Sequence, residues 1–155
     1  TRGVHRIDLE AFGELFFRGD WETASRLLKN SLSLNDLSVF REAINECVVA
    51  GDFCYVPLDK EISPEVMALV ADFFLGLREI HFVVVVVGDR EEYRLSVRSE
   101  DARRPTDIVI RRALDSIGSG GGHVHMGGGS IPRDLYPGEE GLRKRFISAL
   151  ETLQT

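Results

Sequence analysis

The sequence predicts an α/β fold in which a mixed β-sheet is flanked by helices and preceded by a small helical segment. Three observations predict this class: apolar residues at helical spacing in the first third, the continuous β-branched run FVVVVV at 82–87, and the alternating segment YRLSVRS at 93–99. A chain of 155 residues is long enough to bury a hydrophobic core without disulfides or metal ions.

Apolar spacing predicts three helices in the first third of the chain. Asp8 is suited to cap the first and Asp20 to cap the second, because a carboxylate accepts hydrogen bonds from the free N–H groups of a first helical turn. Gly51 supplies a stop signal for the third. The apolar stripe of that third helix consists of Leu37, Phe40, Ile44, Cys47 and Val48.

In the second third the pattern changes to alternating strands and helices. The segment DFCYVPL at 52–58 predicts a short strand, and Ser63 with Pro64 forms an N-cap and first-turn pair for a helix that ends at Gly76. The run IHFVVVVVG at 80–88 is typical of a central strand covered on both faces. The polar GDREE that follows predicts a hairpin turn into the next strand.

The strand at 93–99 alternates strictly between apolar and polar side chains, which therefore lie on opposite faces. If Tyr93, Leu95 and Val97 pack inward, the other face presents two arginines and a serine outward at a spacing of about 6 to 7 Å. This spacing suits neighbouring phosphates, and a plain solvated polar face is the alternative. The outward residues are Arg94, Ser96 and Arg98.

The last third predicts two further helices around a glycine-rich loop. The first begins at Pro105 or Thr106 and ends at Gly118, and the second covers EEGLRKRFISALETLQ at 139–154. Between them, the loop GSGGGHVHMGGGS at 118–130 is followed by a possible short strand.

Charge and cysteine content restrict the function classes. Nineteen basic and 25 acidic residues give a net charge of -6, which argues against non-specific binding to nucleic acid or to an anionic membrane. Residues 90–133 contain eight arginines and six acidic residues, a balance of +2, so an anion site would be local. Cys47 and Cys54 indicate reduced thiols, and without an apolar signal region or a run of membrane length we expect a cytoplasmic protein.

The glycine-rich loop admits four interpretations. A flexible linker usually pairs glycine with serine, and His, Val and Met are unusual in one. His123 and His125 would supply two metal ligands at most, and no G-x-S-x-G motif is present for nucleophilic catalysis. In the fourth interpretation glycine N–H groups and the His123 imidazole form an anion cradle around one phosphate, which the local positive charge favours.

Two motifs in this order carry a resemblance to a known family. LSVRS at 95–99 followed by GSGGGHVHMGG at 118–128 resembles the C-terminal substrate-binding domain of DHH-family phosphoesterases, and the likeness extends over residues 52–133. That family includes RecJ-like exonucleases, oligoribonucleases that also remove phosphate from phosphoadenosine phosphate, cyclic dinucleotide phosphodiesterases and pyrophosphatases. Related domains occur in alanyl-tRNA synthetases.

The resemblance implies that this chain grips the substrate and that a separate domain hydrolyses it. In such proteins two manganese ions lie in an N-terminal domain with a D-H-H triplet, which this sequence lacks. Residues 1–50 are then expected to be the last helices of that catalytic domain, and 51–155 the substrate-binding domain. We expect neither a metal site nor a catalytic residue within this chain itself.

The resemblance also assigns the substrate contacts residue by residue. Arg98 is expected to contact a phosphate, and the glycine loop to close over the nucleotide near the scissile phosphate. Relatives often have Ala-Ala-Gly or Ala-Gly-Gly where Gly127 and Gly128 stand, while His125 and Met126 lie at variable positions outside the set. The expected substrate-binding residues are Ser96, Arg98, Ser99, Gly120, Gly121, Gly122 and His123.

These expectations combine into one leading hypothesis and two alternatives. The leading hypothesis is the substrate-binding domain of a manganese-dependent phosphoesterase that acts on short oligonucleotides or nucleotide phosphates. The first alternative is a non-catalytic RNA-binding appendage of the alanyl-tRNA synthetase type, and the second is a dimerisation domain whose glycines only fill space. The expected partner is the catalytic DHH domain of the same parent chain, and a homodimer is compatible with the hypothesis.

Overall fold

The structure is a computed structural model that describes residues 5–29 and 32–153. Contacts divide the chain into two compact units, the first ending at Leu34 and the second beginning at Asn35. The described part of the first unit forms the helices α1 (Arg6–Phe16) and α2 (Trp21–Lys29).

The capping of these two helices agrees with the sequence in one case and differs in the other. Asp20 Oδ1 accepts a hydrogen bond from Thr23 N at 3.0 Å, as predicted. Asp8 lies inside the first turn of α1, where its carboxylate accepts from His5 N at 2.7 Å. Because helix α1 already begins at Arg6, His5 occupies the N-cap position predicted for Asp8.

The second unit is a six-stranded mixed sheet with helices, and it confirms the predicted α/β class. Its described elements are, in chain order, α3 (Asp36–Glu46), β1 (Val48–Ala50), β2 (Phe53–Leu58), α4 (Pro64–Leu75), β3 (Phe82–Gly88), β4 (Glu92–Ser99), α5 (Thr106–Ala113), β5 (Ser119–Gly122), β6 (Met126–Pro132) and α6 (Gly138–Glu151). The strand order is β1-β2-β3-β4-β6-β5. Strands β2 and β3 are parallel, joined by the crossover helix α4, and the other neighbours are antiparallel.

The β-branched run forms β3, which is buried on both faces as the sequence predicts. Val83, Val85 and Val87 share one core with α3 and α4. Val84 and Val86 share the other core with α5 and α6. Since full burial of a valine side chain contributes roughly 1.5 kcal/mol or more, this strand anchors both layers of helices.

The predicted starts of the later helices hold, whereas α5 ends at Ala113, before the predicted stop at Gly118, because residues 114–117 form turns, and α6 ends at Glu151. Ser63 Oγ accepts from Val66 N at 3.3 Å and caps α4, which ends before Gly76. Helix α5 follows Pro105, as the sequence indicates. Within residues 5–29 and 32–153, no helix combines the length and the apolar character needed to cross a bilayer.

The third predicted helix is shorter than its apolar stripe suggests. Helix α3 ends at Glu46, and Val48–Ala50 forms β1, which pairs with β2 across a turn at Gly51. Gly51 has φ of +61°, so it serves a hairpin turn that favours glycine rather than the end of a helix. The buried positions of α3 are Val39 and Ala43, a stripe one position away from the predicted one.

Candidate functional site

The glycine stretch forms the edge hairpin of the sheet, so the predicted loop is wrong. Strands β5 and β6 pair through their glycines and are joined by a short turn at 123–125. Because alternate N–H groups of an antiparallel strand point toward its partner, the glycine amides do not converge on one point as a cradle would require. Gly127 and Gly128 lie within β6, and no helix begins there.

Glycine is required in this hairpin because α5 packs directly on it. A Cβ at Gly120 would lie 2.6 Å from Ile110 Cγ2, and one at Gly127 would lie 2.6 Å from Ile110 Cδ1 and 2.9 Å from Thr106 Oγ1. These separations are far shorter than the 3.5 to 4.0 Å or so of ordinary van der Waals contact. Part of the glycine enrichment is therefore explained by the close packing of α5 on the sheet.

The sheet register brings Arg98 and His123 to the same end of the sheet. Arg98 pairs with Met126 across β4 and β6, and His123 N donates to Met126 O at 2.8 Å. Directly opposed residues of an antiparallel pair project to the same face, so Arg98, Met126 and His123 form one row. Two strand spacings of about 4.8 Å place the ends of this row roughly 10 Å apart.

A second row with small side chains lies beside the first. Ser96 pairs with Gly128, and Gly128 pairs with Gly121. Within 4 Å, a Cβ at Gly121 would meet only Nη2 of the α5 residue Arg111, at 3.9 Å, so this side of β5 has room, whereas α5 packs directly against the other side. We call this surface the glycine face; it consists of Ser96, Arg98, Gly121, His123, Met126 and Gly128.

The Arg98 guanidinium on this face is held by its neighbours but keeps free donors. Its Nε donates to Asp72 Oδ1 of α4 at 2.7 Å, and its Nη1 donates to Ser96 Oγ at 3.4 Å and to Val97 O at 3.2 Å. The side chain is 15% exposed. Within the described part of the chain Nη2 has no hydrogen-bond partner, so two N–H donors remain available to an anion.

The polar side of β4 is not the solvated face that its alternation predicts. Ser96 is buried, and Arg94 donates to Ile62 O at 3.3 Å and forms an ion pair with Asp89 at 3.5 Å. The reason is α4, which packs over this face of β3 and β4. Arg94 is thereby tied to its own surroundings, whereas Arg98 lies next to the uncovered part of the sheet.

Three of the predicted site residues do not lie on the glycine face. Ser99 is buried on the opposite face, and its hydroxyl donates to Asp101 O at 3.1 Å. Gly120 and Gly122 alternate with Gly121 and therefore face α5. The predicted residues that the structure does bring together on the glycine face are Ser96, Arg98, Gly121 and His123.

The turn that carries His123 is fixed through its carbonyl oxygens. Thr106 Oγ1 donates to His123 O at 2.6 Å, and Thr106 N donates to Val124 O at 3.0 Å. Ser99 N donates to His125 O at 3.0 Å. A turn fixed in this way loses little conformational entropy when a ligand binds, so Thr106 and Ser99 support the site from beneath it.

A cluster of ion pairs stabilises the segment between β4 and α5. Arg104, which is 7% exposed, donates from Nη1 and Nη2 to the two carboxylate oxygens of Asp52 at 3.1 and 2.7 Å. This hydrogen bonding lowers the pKa of Asp52, and hydrogen bonds from the Arg103 side chain and backbone lower the pKa of Asp101 to about 2. These arginines are therefore engaged within the protein.

Metal ligands do not gather around the hairpin. Among the residues that the structure describes, no three His, Cys, Asp or Glu side chains are grouped so that they could hold a metal ion. His125 Nδ1 lies 2.9 Å from Ser99 O, which gives this histidine a backbone partner. His123 is exposed at the end of the glycine face.

Sequence reasoning missed two residues beside Arg98. Asp72 lies 26 positions earlier in the chain, on α4, and no local pattern connects the two. Met126 would have been found if the glycine stretch had been interpreted as a hairpin, because the pairing of its strand with β4 places Met126 opposite Arg98.

Known structures share this architecture. An exopolyphosphatase-related protein from Bacteroides fragilis has a TM-score of 0.74 at 21% identity, over 97% of this chain and 46% of its own. The C-Ala domain of Aquifex aeolicus alanyl-tRNA synthetase has a TM-score of 0.52 at 20% identity, over 67% of this chain and 96% of its own. The pGpG-specific phosphodiesterase PggH from Vibrio cholerae has a TM-score of 0.52 at 12% identity, over 76% of this chain and 40% of its own.

These likenesses establish a shared fold. The chain spans less than half the length of the Bacteroides protein and of PggH. No curated protein matches the chain. The family model of the DHHA1 domain matches residues 50–154, a segment that includes the whole glycine face. Because this match covers more than half of the sequence, the chain belongs to the DHHA1 domain family, which confirms the resemblance inferred from the LSVRS and GSGGGHVHMGG motifs.

Proposed function

We propose that this chain is the substrate-binding part of a DHH-family phosphoesterase that acts on short oligonucleotides or nucleotide phosphates. The observation that carries the proposal is the register that sets Arg98 and His123 at the two ends of one row on the glycine face. A ligand with negatively charged oxygens that spans this row would receive charge-assisted hydrogen bonds from Nη2 of Arg98 and a donor from His123.

The magnitude of these contacts suits a positioning role. A hydrogen bond from a charged group contributes about 1.5 to 3 kcal/mol, which is enough to orient a phosphodiester but gives weak binding by itself. Hydrolysis belongs, in this proposal, to a manganese-containing catalytic domain of the same parent chain in the cytoplasm. The glycine face would hold the substrate in line for that domain.

The proposal is tested by titrating the chain with a fluorescently labelled, 5'-phosphorylated RNA dinucleotide at low salt. We expect Arg98→Ala and His123→Ala each to weaken binding about tenfold, as the loss of one charge-assisted contact implies. Arg112→Ala is the matched control, because Arg112 is an exposed arginine of α5 on the other side of the sheet. Equal affinity of all four proteins for the dinucleotide would overturn the proposal.

A second candidate function is RNA binding without catalysis. It is favoured by the likeness to the C-Ala domain, which this chain matches over 96% of that domain's length. The same titration separates the two candidates when folded transfer RNA competes with the labelled dinucleotide. Tight binding of the transfer RNA that is unchanged by Arg98→Ala would favour the second candidate over the first.

A further inference from the structure

Met126 occupies the middle of the row that joins Arg98 to His123. It pairs with Arg98 on one side and accepts a hydrogen bond from His123 N on the other. Met126 is 53% exposed, so no part of the described chain covers it fully. Any ligand that contacts both Arg98 and His123 along this row therefore passes over the Met126 side chain.

The chemistry of that side chain restricts what can lie on it. A thioether has no hydrogen-bond donor and is only a weak acceptor, so it offers nothing to a phosphate oxygen and would remove part of its hydration. The same flexible, polarisable group makes favourable contacts with aromatic rings. The middle of the row thus favours an apolar, flat part of a ligand, with charged parts at the ends.

The neighbouring positions leave room for a ring. Gly128 and Gly121 form the adjacent row and carry no side chain on the glycine face. Val124, in the turn beside His123, is also partly exposed and apolar. A planar group that rests on Met126 would therefore also lie against the glycine backbone of the adjacent row and near the Val124 side chain at the hairpin turn.

We propose that Met126 determines specificity by packing against a nucleobase, so that the glycine face takes nucleotides in preference to linear inorganic polyphosphate. This inference rests on the proposed function, since it requires a ligand held between Arg98 and His123. It adds a choice between two ligand classes that share the same charged oxygens and differ in whether an aromatic ring accompanies them.

Methyl NMR provides a direct test, because the sequence contains only two methionines, Met67 and Met126. Met67, which belongs to α4, is buried in the core and serves as an internal reference. With ¹³C-methyl methionine in the chain, we expect the Met126 signal to show a ring-current shift when 5'-phosphorylated diadenylate is added. We expect no comparable shift with tripolyphosphate, and no shift of Met67 with either ligand.

Affinities measured by calorimetry complete the test. Met126→Ser is expected to weaken diadenylate binding about three- to tenfold, as the loss of a sulfur–aromatic contact implies, and to leave tripolyphosphate binding within about twofold. Met126→Leu retains an apolar surface and is expected to keep most of the affinity. Leu135→Ser, which removes an exposed apolar side chain beyond the opposite end of β6, is the control.

The outcomes separate the two proposals. If the unaltered chain binds diadenylate without a shift of its Met126 methyl signal, and Met126→Ser binds diadenylate equally well, the inference is overturned while the proposed function stands. The inference is also overturned if tripolyphosphate binds more tightly than diadenylate. If neither ligand binds the unaltered chain, the proposed function itself fails.

Discussion

Arg98 Nε lies 2.7 Å from Asp72 Oδ1, so a strand and a helix that are distant in sequence share one ion pair at the edge of the glycine face. Asp72 is 57% exposed, and a pair of this kind adds at most about 1 kcal/mol to stability. Its main effect is on position: the carboxylate fixes the guanidinium through Nε and leaves Nη2 free. It also places a negative charge close to any phosphate that Arg98 would bind.

Asp72→Asn tests the balance of these two effects. The amide oxygen can still accept from Arg98 Nε, while the negative charge that repels a bound phosphate is gone. We expect the affinity for a 5'-phosphorylated dinucleotide to rise about two- to fivefold at low salt, which corresponds to roughly 0.5 to 1 kcal/mol. The gain should shrink as salt is added, and a calorimetric titration that shows weaker binding than the unaltered chain would contradict the prediction.

Gly127→Ala tests whether β6 requires glycine because α5 and β5 pack closely against it. The added methyl group would lie 2.6 Å from Ile110 Cδ1 and 2.7 Å from Gly121 O, so either α5 or β5 must shift. We expect a loss of about 1 to 3 kcal/mol in the free energy of unfolding, measured by denaturant titration.

Gly121→Ala is the matched control for that substitution. Its methyl group would point to the glycine face, where the nearest atom lies 3.9 Å away. We expect stability to stay the same or to rise by up to about 1 kcal/mol, since alanine restricts the unfolded chain more than glycine does. Equal losses of stability in the two variants would show that the packing of α5 on one face of the hairpin is not the reason why glycine is required there.

Asp101 is expected to titrate at unusually low pH. Its pKa of about 2 is due first to hydrogen bonds from the Arg103 side chain, so the folded state binds this proton less readily than the unfolded chain, in which an aspartate has a pKa near 3.9. The stabilisation is therefore present above about pH 4 and is lost as the pH falls toward 2. In Arg103→Ala we expect the carboxyl ¹³C titration midpoint of Asp101 to move upward.

Arg90→Ala serves as the control for this titration, because Arg90 is also an exposed arginine and is not among the groups that lower the pKa of Asp101. The midpoint of Asp101 should be unchanged in that variant. A midpoint near 4 in the unaltered chain would contradict the role assigned to Arg103.

Cys54 is expected to be chemically inert in the folded protein. Burial, and secondarily the nearby Cys47 thiol, raise its pKa to about 12, so almost no thiolate is present at pH 8. In Cys47→Ser, which leaves one thiol, we expect reaction with a disulfide reagent only after denaturant is added. Prompt reaction of the native variant would show that β2 is accessible from the α4 side.

The parts of the fold that could be predicted are those whose sequence pattern fits one kind of secondary structure better than any other. The run from Phe82 to Val87 is apolar throughout and fits a strand buried on both faces, and Ser63 before Pro64 favours a helix start. The end of α3 was less predictable, because Cys47 and Val48 fit the spacing of a helix while valine also favours a strand.

The site was predictable only in part, for the same reason. Glycine is used where the backbone adopts a positive φ, where a ligand approaches the backbone closely and where a helix packs closely on it. Sequence alone does not separate these uses. The motif resemblance selected Arg98 and His123, and the register places both in one row. The contributions of Asp72 and Thr106 depend on contacts between distant segments, which a single sequence does not encode in any local pattern.

The position of β5 has a consequence for the order in which the protein opens. This four-residue strand lies at the margin of the sheet, pairs with β6 alone, and brings one serine and three glycines, so few apolar contacts oppose its detachment. Its backbone amides should exchange with solvent deuterium well before those of β3. A ligand on His123 would then slow this exchange, because detachment of β5 would also break the contacts of that ligand.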